Sequence, residues 1–278
     1  MLRRILIPLD PSPYATAALE YGCYLVKRYN AEITGLVILD IPGIEKSIGP
    51  VPAGAFYYAQ KLEKLKEEQA REHIHTLLDK FKRKCEQEGV MHREAECQGH
   101  PSERILHESI FYDLVIMGFR TYFHFETNDA PGDSLEKILD HSIVPILMVP
   151  SSFRFDERAR VLVAFNGSLP AAGALQDFVH VFQPSSFEIT LLTSDEDQSV
   201  ANYYLDRAQS YLNAHSFSNV EKVWTTQDII RVMEERFLDW ADLVVIGAHS
   251  KKGLLDFMVG SLGQYLIKEA KKPVFLGQ

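Results

Sequence analysis

Short runs of four to six apolar residues, each closed by a polar or glycine turn, recur along the chain between longer stretches with apolar positions every three or four residues. The first pattern belongs to strands buried on both faces and the second to amphipathic helices, so their alternation predicts βαβ units around parallel sheets. Strands are expected at Arg4–Leu9, Glu32–Leu39, Met91–Cys97, Leu114–Met117 and Ile146–Val149, with helices near Tyr14–Tyr29, Ala59–Glu88, Pro101–Ser109 and Ser134–His141. The rest of the chain predicts strands at Arg160–Phe165, Glu188–Thr193, Val220–Trp224, Leu243–Ile246 and Val274–Leu276. Its helices fall near Pro170–Phe182, Ser199–Ala214, Asp228–Leu238 and Leu262–Ala270.

The two sets are a repeat. Ile5 to Ser12 can be laid over Val161 to Ser168, each an apolar run ending in a polar turn, at an offset of 156 residues. Asp113-Leu-Val-Ile-Met-Gly118 matches Asp242-Leu-Val-Val-Ile-Gly247 at an offset of 129. Pro145 to Val149 likewise matches Pro273 to Gly277. The drop in offset gives the first half about 27 extra residues, much of it in the Pro/Gly-rich stretch Ile41 to Gly54. The expected fold is therefore α/β: two tandem Rossmann-like domains, each a five-stranded parallel sheet with helices on both faces. The domains are expected at 1–150 and 151–278, with a polar linker near Pro150 to Asp156.

Composition agrees with this and removes whole classes of function. At 278 residues, 46% hydrophobic and 24% charged, the chain has the balance of an ordinary globular protein of roughly two domains. A net charge of −9, with no basic block to offset it locally, argues against nucleic acid as a partner. Cys23, Cys85 and Cys97 form neither a CxxC nor a Cys/His cluster, which argues against structural zinc and for a reducing compartment, the cytoplasm. The apolar run Ile5–Leu9 stops at Asp10, too short for a signal peptide, and no run of eighteen apolar residues predicts a membrane span. His73 and His75, two apart on a predicted helix, point to different faces and cannot share a metal.

In an open parallel sheet, ligands bind beyond the carboxyl ends of the strands where the strand order reverses. That directs attention to the ends of the first and fourth strands of each half. In the second half the fourth strand runs into Gly247-Ala-His-Ser-Lys-Lys-Gly253, and Gly260-Ser261 stands at the start of the last helix. A helix N-terminus offers unpaired N–H groups and the positive end of its dipole, glycine lets the backbone approach, and Ser261 adds a hydroxyl.

The spacing Gly247, Ser250, Gly260, Ser261 resembles the nucleotide loop of the universal stress protein family, whose ATP-binding members carry G-x2-G-x9-G-(S/T). The resemblance spans nearly the whole chain as a tandem pair. It includes the polar residue ending strand one, the Gly99-His-Pro101 turn, the glycine loop and the closing Pro145 or Pro273 strand. It implies a cytoplasmic stress-response regulatory protein that binds ATP or another adenine nucleotide, with or without Mg, mainly in its C-terminal domain. The cofactor-binding residues it implies are Asn166, Ser194, Gly247, Ser250, Gly260 and Ser261, with Ser194 at the end of strand two as the base contact. It also implies that the halves pair as an intramolecular pseudo-dimer through their final strands, with a homodimer as a further partnership.

Departures from the family pattern sharpen the expectation. Ser250 replaces the middle glycine, and Asn166 stands where aspartate is usual, able to hydrogen-bond a ribose but adding no charge for a cation. The first half reads Gly118-Phe-Arg-Thr121, then an acidic and aromatic stretch, then Gly132-Asp133, one residue longer than the family spacing. Asp133 puts an anion where a phosphate would need a donor, so this pocket is expected to be degenerate or repurposed. No catalytic or metal-ligating residue is assigned. The competing readings are an interaction protein that binds no nucleotide, and a slow adenine-nucleotide hydrolase or transferase. Gly247, Gly260 and Ser261 also have a plain structural explanation as turn and capping residues, as does the Asn166-Gly167 pair.

Overall fold

The computed structural model describes residues 1–52, 54–120, 134–152, 159–184, 187–248 and 260–278. Two compact units are present, Arg3–His141 and Ser142–Gln278, the latter including Met1–Leu2. The first contains β1 (Arg4–Pro8), α1 (Pro13–Tyr29), β2 (Glu32–Leu39), α2 (Ile41–Ile48), α3 (Phe56–Glu88), β3 (His92–Gln98), α4 (Pro101–Ser109), β4 (Leu114–Gly118) and α5 (Ser134–His141). Its strands lie in the order β3-β2-β1-β4, all parallel.

The second unit opens with β5 (Ile146–Val149), β6 (Arg160–Ala164), α6 (Leu169–Val181), β7 (Glu188–Ser194), α7 (Gln198–Ala214) and β8 (Val220–Thr225). There follow α8 (Ile229–Val232), which continues as a π-helical turn over Met233–Phe237, then β9 (Leu243–Gly247), α9 (Ser261–Glu269) and β10 (Val274–Gly277). The order β10-β9-β6-β7-β8 is parallel throughout and repeats that of the first unit. β5 pairs antiparallel with β10, Leu147 opposite Phe275, which places the final strand of the first repeat with the second unit.

The tandem Rossmann-like α/β arrangement is thus the one the hydrophobic pattern predicts. Every residue of β4 and β5 is buried, as are all but the first of β1, so both faces of these strands are covered. In each unit the chain leaves the first strand in one direction for the second and third, then crosses to the other side for the fourth. The strand order therefore reverses between β1 and β4, and between β6 and β9.

Helix α2 is an addition to the expected elements. The Asp40 carboxylate accepts from the Gly43 N–H at 2.9 Å and Pro42 lies in the first turn, so residues that read as breakers start a helix here. Part of the expected linker, residues 153–156, lies outside the described residues.

Candidate functional site

The turn from β6 into α6 is built by two side chains. Asn166 Oδ1 accepts from the Ser168 N–H at 3.1 Å, and Ser168 Oγ accepts from the Ala171 N–H at 3.4 Å, capping the helix. Gly167 between them has φ +74°, a left-handed conformation that favours glycine. The first repeat makes the same two hydrogen bonds around Pro11, whose ring excludes the left-handed conformation: Asp10 Oδ1 accepts from the Ser12 N–H at 3.0 Å, and Ser12 Oγ accepts from the Ala15 N–H at 3.3 Å. The equivalent polar residues differ in access. Asp10 is 2% exposed, whereas Asn166 faces solvent.

Across from this turn, α9 begins at Gly260, whose φ of −58° and ψ of 164° any residue can adopt. Among the described residues no side chain caps this end, and no acidic residue lies in the first turn. The first helical hydrogen bond runs from the Gln264 N–H to Gly260, so the N–H groups of Ser261, Leu262 and Gly263 lie outside the helical ladder. An uncapped N-terminus of this kind concentrates the positive end of the helix dipole.

These pieces meet in one cavity of about 220 Å³ at the carboxyl ends of β6 and β9. Asn166, Gly247, Gly260 and Ser261, four of the six residues singled out from sequence, line it together. Ser194 does not: it ends β7, and its hydroxyl donates to the Gln227 carbonyl at 2.6 Å. Ser250 lies outside the described residues, as do His249, Lys251 and Lys252 in the same loop and Gly132 and Asp133 in the first half.

The sequence reading missed Ser168, Pro170 and Ile229, which also line the cavity. The helix-start signals were legible: Ser168 and Asp228 cap α6 and α8, the latter accepting from the Arg231 N–H at 3.1 Å. That both helices open on the same space depends on tertiary packing. None of the described lining residues carries an ionisable side chain. What they present is backbone N–H groups, the Asn166 amide, two serine hydroxyls and an apolar wall formed in part by Phe165, Ile229 and Ile246. Such a lining suits an anion attached to a less polar body.

Among the described residues no group of three His, Cys, Asp or Glu side chains could hold a metal ion, and no helix is long and apolar enough to cross a membrane.

Fold and cavity together define an α/β protein with a cavity at a sheet switch point. A model of the universal stress protein family matches residues 1–150 and 213–276, and the chain belongs to that family. Among solved structures, a universal stress protein from Archaeoglobus fulgidus matches 99% of this chain and 96% of its own at 20% identity, with a TM-score of 0.66. A protein of unknown function from Pseudomonas aeruginosa matches 99% of this chain and 92% of its own at 14% identity, with a TM-score of 0.59. Identities at that level speak for the fold alone. A universal stress protein in complex with cAMP is similar over 54% of this chain and 98% of its own, at 14% identity and a TM-score of 0.34, too loosely to bear on the ligand here. No curated protein sequence matches the chain.

Proposed function

We propose that this is a cytoplasmic stress-response regulatory protein whose second unit binds ATP or a related adenine nucleotide. The observation that carries the reading is the convergence of Asn166, Gly247, Gly260 and Ser261 on one cavity beside the start of α9, which no side chain among the described residues caps. The first-turn N–H groups of α9 and the Ser261 hydroxyl hold phosphate, while the Asn166 amide, its Oδ1 already engaged by Ser168, turns its NH₂ to a ribose oxygen. At about 220 Å³ the cavity is below the roughly 300–1,000 Å³ of pockets for drug-sized ligands, a size for the ribose-phosphate part of a nucleotide. Ser194, its hydroxyl committed to Gln227, contributes to base recognition through its backbone alone. The described lining offers a magnesium ion only neutral oxygens, so any accompanying Mg is held by the phosphates and not by these side chains.

The first repeat is read as the degenerate partner because Asp133 replaces the phosphate donor, while Asp10 keeps the family's acidic position and is buried where Asn166 is open. The antiparallel pairing of β5 with β10 supports the reading of the repeats as an intramolecular pseudo-dimer. A second reading, an interaction protein without nucleotide, draws on the structural work these residues already do. Asn166 makes a turn, and a side chain on Gly247 would strike the Pro170 backbone. Denaturing the purified protein and identifying the released small molecules by mass spectrometry separates the two. About one adenine nucleotide per chain is expected; none, even after incubation with ATP, overturns the proposal in favour of the second reading.

A further inference from the structure

The longest helix, α3, is anchored by its C-terminal part, where Ala70, Ile74, Phe81 and Cys85 are buried on one face. Its N-terminal turns are held from a neighbouring direction by α2, where Lys66 Nζ donates to Ser47 Oγ at 2.9 Å. A different face of the same turns carries apolar side chains in solvent: Tyr58 is 72% exposed, Leu65 50% and Leu62 43%. These three stand at positions i, i+4 and i+7, one continuous stripe with the spacing of a coiled-coil seam, set roughly a third of a turn from the buried face. Apolar residues exposed singly need no explanation, but a seam of them along one helix does.

The charges beside the stripe indicate what covers it. Lys61 and Lys64 lie towards its N-terminal end and Glu68 and Glu72 towards its C-terminal end, all exposed, and none forms an ion pair among the described residues. Two copies of this helix side by side and parallel would set the flank that carries Lys61 and Glu68 against the opposite flank of the other helix, Lys61 beside the other copy's Lys66, and would not bring Lys61 to Glu68. Turned antiparallel about a two-fold axis between Leu62 and Leu65, they set each Leu62 against the other copy's Leu65 and each Lys61 beside the other copy's Glu68. The stripe is thus self-complementary in the way a two-fold interface requires. A bilayer is a poorer occupant, because Glu63, Glu67, Glu68 and Glu72 crowd the same turns of a chain with net charge −9.

We propose that the Tyr58–Leu62–Leu65 stripe is an isologous docking surface for a second copy of this chain, forming an antiparallel α3–α3 pair. The seam is short, so the dimer is weak and concentration-dependent. None of its residues belongs to β5, to β10 or to the lining of the cavity.

Sedimentation velocity of the full chain across micromolar to millimolar concentrations tests it. Wild type is expected to pass from monomer to dimer, and Leu62→Glu/Leu65→Glu, a change of exposed residues whose fold is checked by circular dichroism, to raise the dissociation constant by more than about a hundredfold. Lys61→Glu alone is expected to weaken the dimer about tenfold, because two like-charge contacts replace two attractive ones, and Lys61→Glu/Glu68→Lys to restore it. Wild type monomeric throughout, or a dimer indifferent to Leu62→Glu/Leu65→Glu, overturns the proposal. So does a Lys61→Glu defect that Glu68→Lys fails to repair. Stripe-dependent binding to phosphatidylcholine/phosphatidylglycerol vesicles by a protein that stays monomeric would assign the surface to lipid and equally overturn it.

Discussion

A Cβ built on Gly247 would lie 2.5 Å from the carbonyl carbon and oxygen of Pro170, so the end of β9 and the start of α6 touch through a gap that only a hydrogen fits. The first repeat has the same contact, since a Cβ on Gly118 would lie 2.1 Å from Tyr14 Cβ and 3.2 Å from Tyr14 Cα. The glycine that ends the fourth strand is therefore a packing residue in both repeats before it is anything else. Gly247→Ala is expected to destabilise the protein by about 1–3 kcal/mol through overpacking against backbone that cannot rotate away. Urea denaturation of the variant measures this, and an unchanged midpoint would mean that α6 is free to retreat.

That contact also shows how far the chain could be read without its structure. The strands were legible because their apolar runs are buried on both faces, and the repeat was legible because each half carries the same punctuation: Asp10 and Ser12 against Asn166 and Ser168, Gly118 against Gly247. Helix α2 was not, because Pro42 and Gly43 look like breakers until Asp40 is seen capping the turn they belong to. In the site, the glycine spacing led to Gly247, Gly260 and Ser261, although it ascribed to a ligand a Gly247 that packing already requires. Pro170 and Ile229 carry no local signal of their place, since they reach the cavity only once their strands have paired. Ser194 rests on family resemblance, which points to backbone groups at the end of strand two, and its hydroxyl is engaged by the Gln227 carbonyl.

Gly260→Asp separates binding from stability. The backbone at Gly260 needs no glycine, and aspartate is a favoured N-cap, so the substitution should leave thermal stability unchanged or raised. The same carboxylate would occupy the first-turn N–H groups of α9 and repel an incoming phosphate. Isothermal titration calorimetry with ATP is expected to show affinity reduced at least about a hundredfold. A stable variant with undiminished affinity would remove α9 from the proposed site.

Turnover of bound ATP is expected to be slow or absent. Backbone amides and hydroxyls that hold a phosphate stabilise the ground state, whereas acceleration needs groups that act preferentially on the transition state. None of the described lining residues is a carboxylate or an imidazole able to order an attacking water, and the Asn166 amide is no base. Phosphate release should fall below about 1 per second, the lower end of ordinary enzyme turnover. A faster rate that disappears in Gly260→Asp would establish a hydrolase.

Stability should depend on pH through the ion pair that ties β6 to the start of β9. The Asp242 carboxylate accepts from the Arg160 backbone N–H at 2.9 Å and from its guanidinium at 3.2 and 3.1 Å, and Asp113 accepts from the Arg4 N–H at 2.9 Å in the same place of the first repeat. Burial works against the Asp242 charge, but the hydrogen bonds from Arg160 outweigh it and hold the carboxyl below its ordinary value. A carboxylate whose folded pKa lies below the unfolded value of about 3.9 contributes stability in full above that pH and loses it as the pH falls through the folded value. Asp242→Asn keeps the shape without the charge and should cost about 1–3 kcal/mol at pH 7. The gap between wild type and variant should then narrow as urea denaturation is repeated from pH 4 downwards. A gap that stays constant to pH 2 would show that Asp242 acts through shape and neutral hydrogen bonding, with its charge contributing nothing to the tie between the strands.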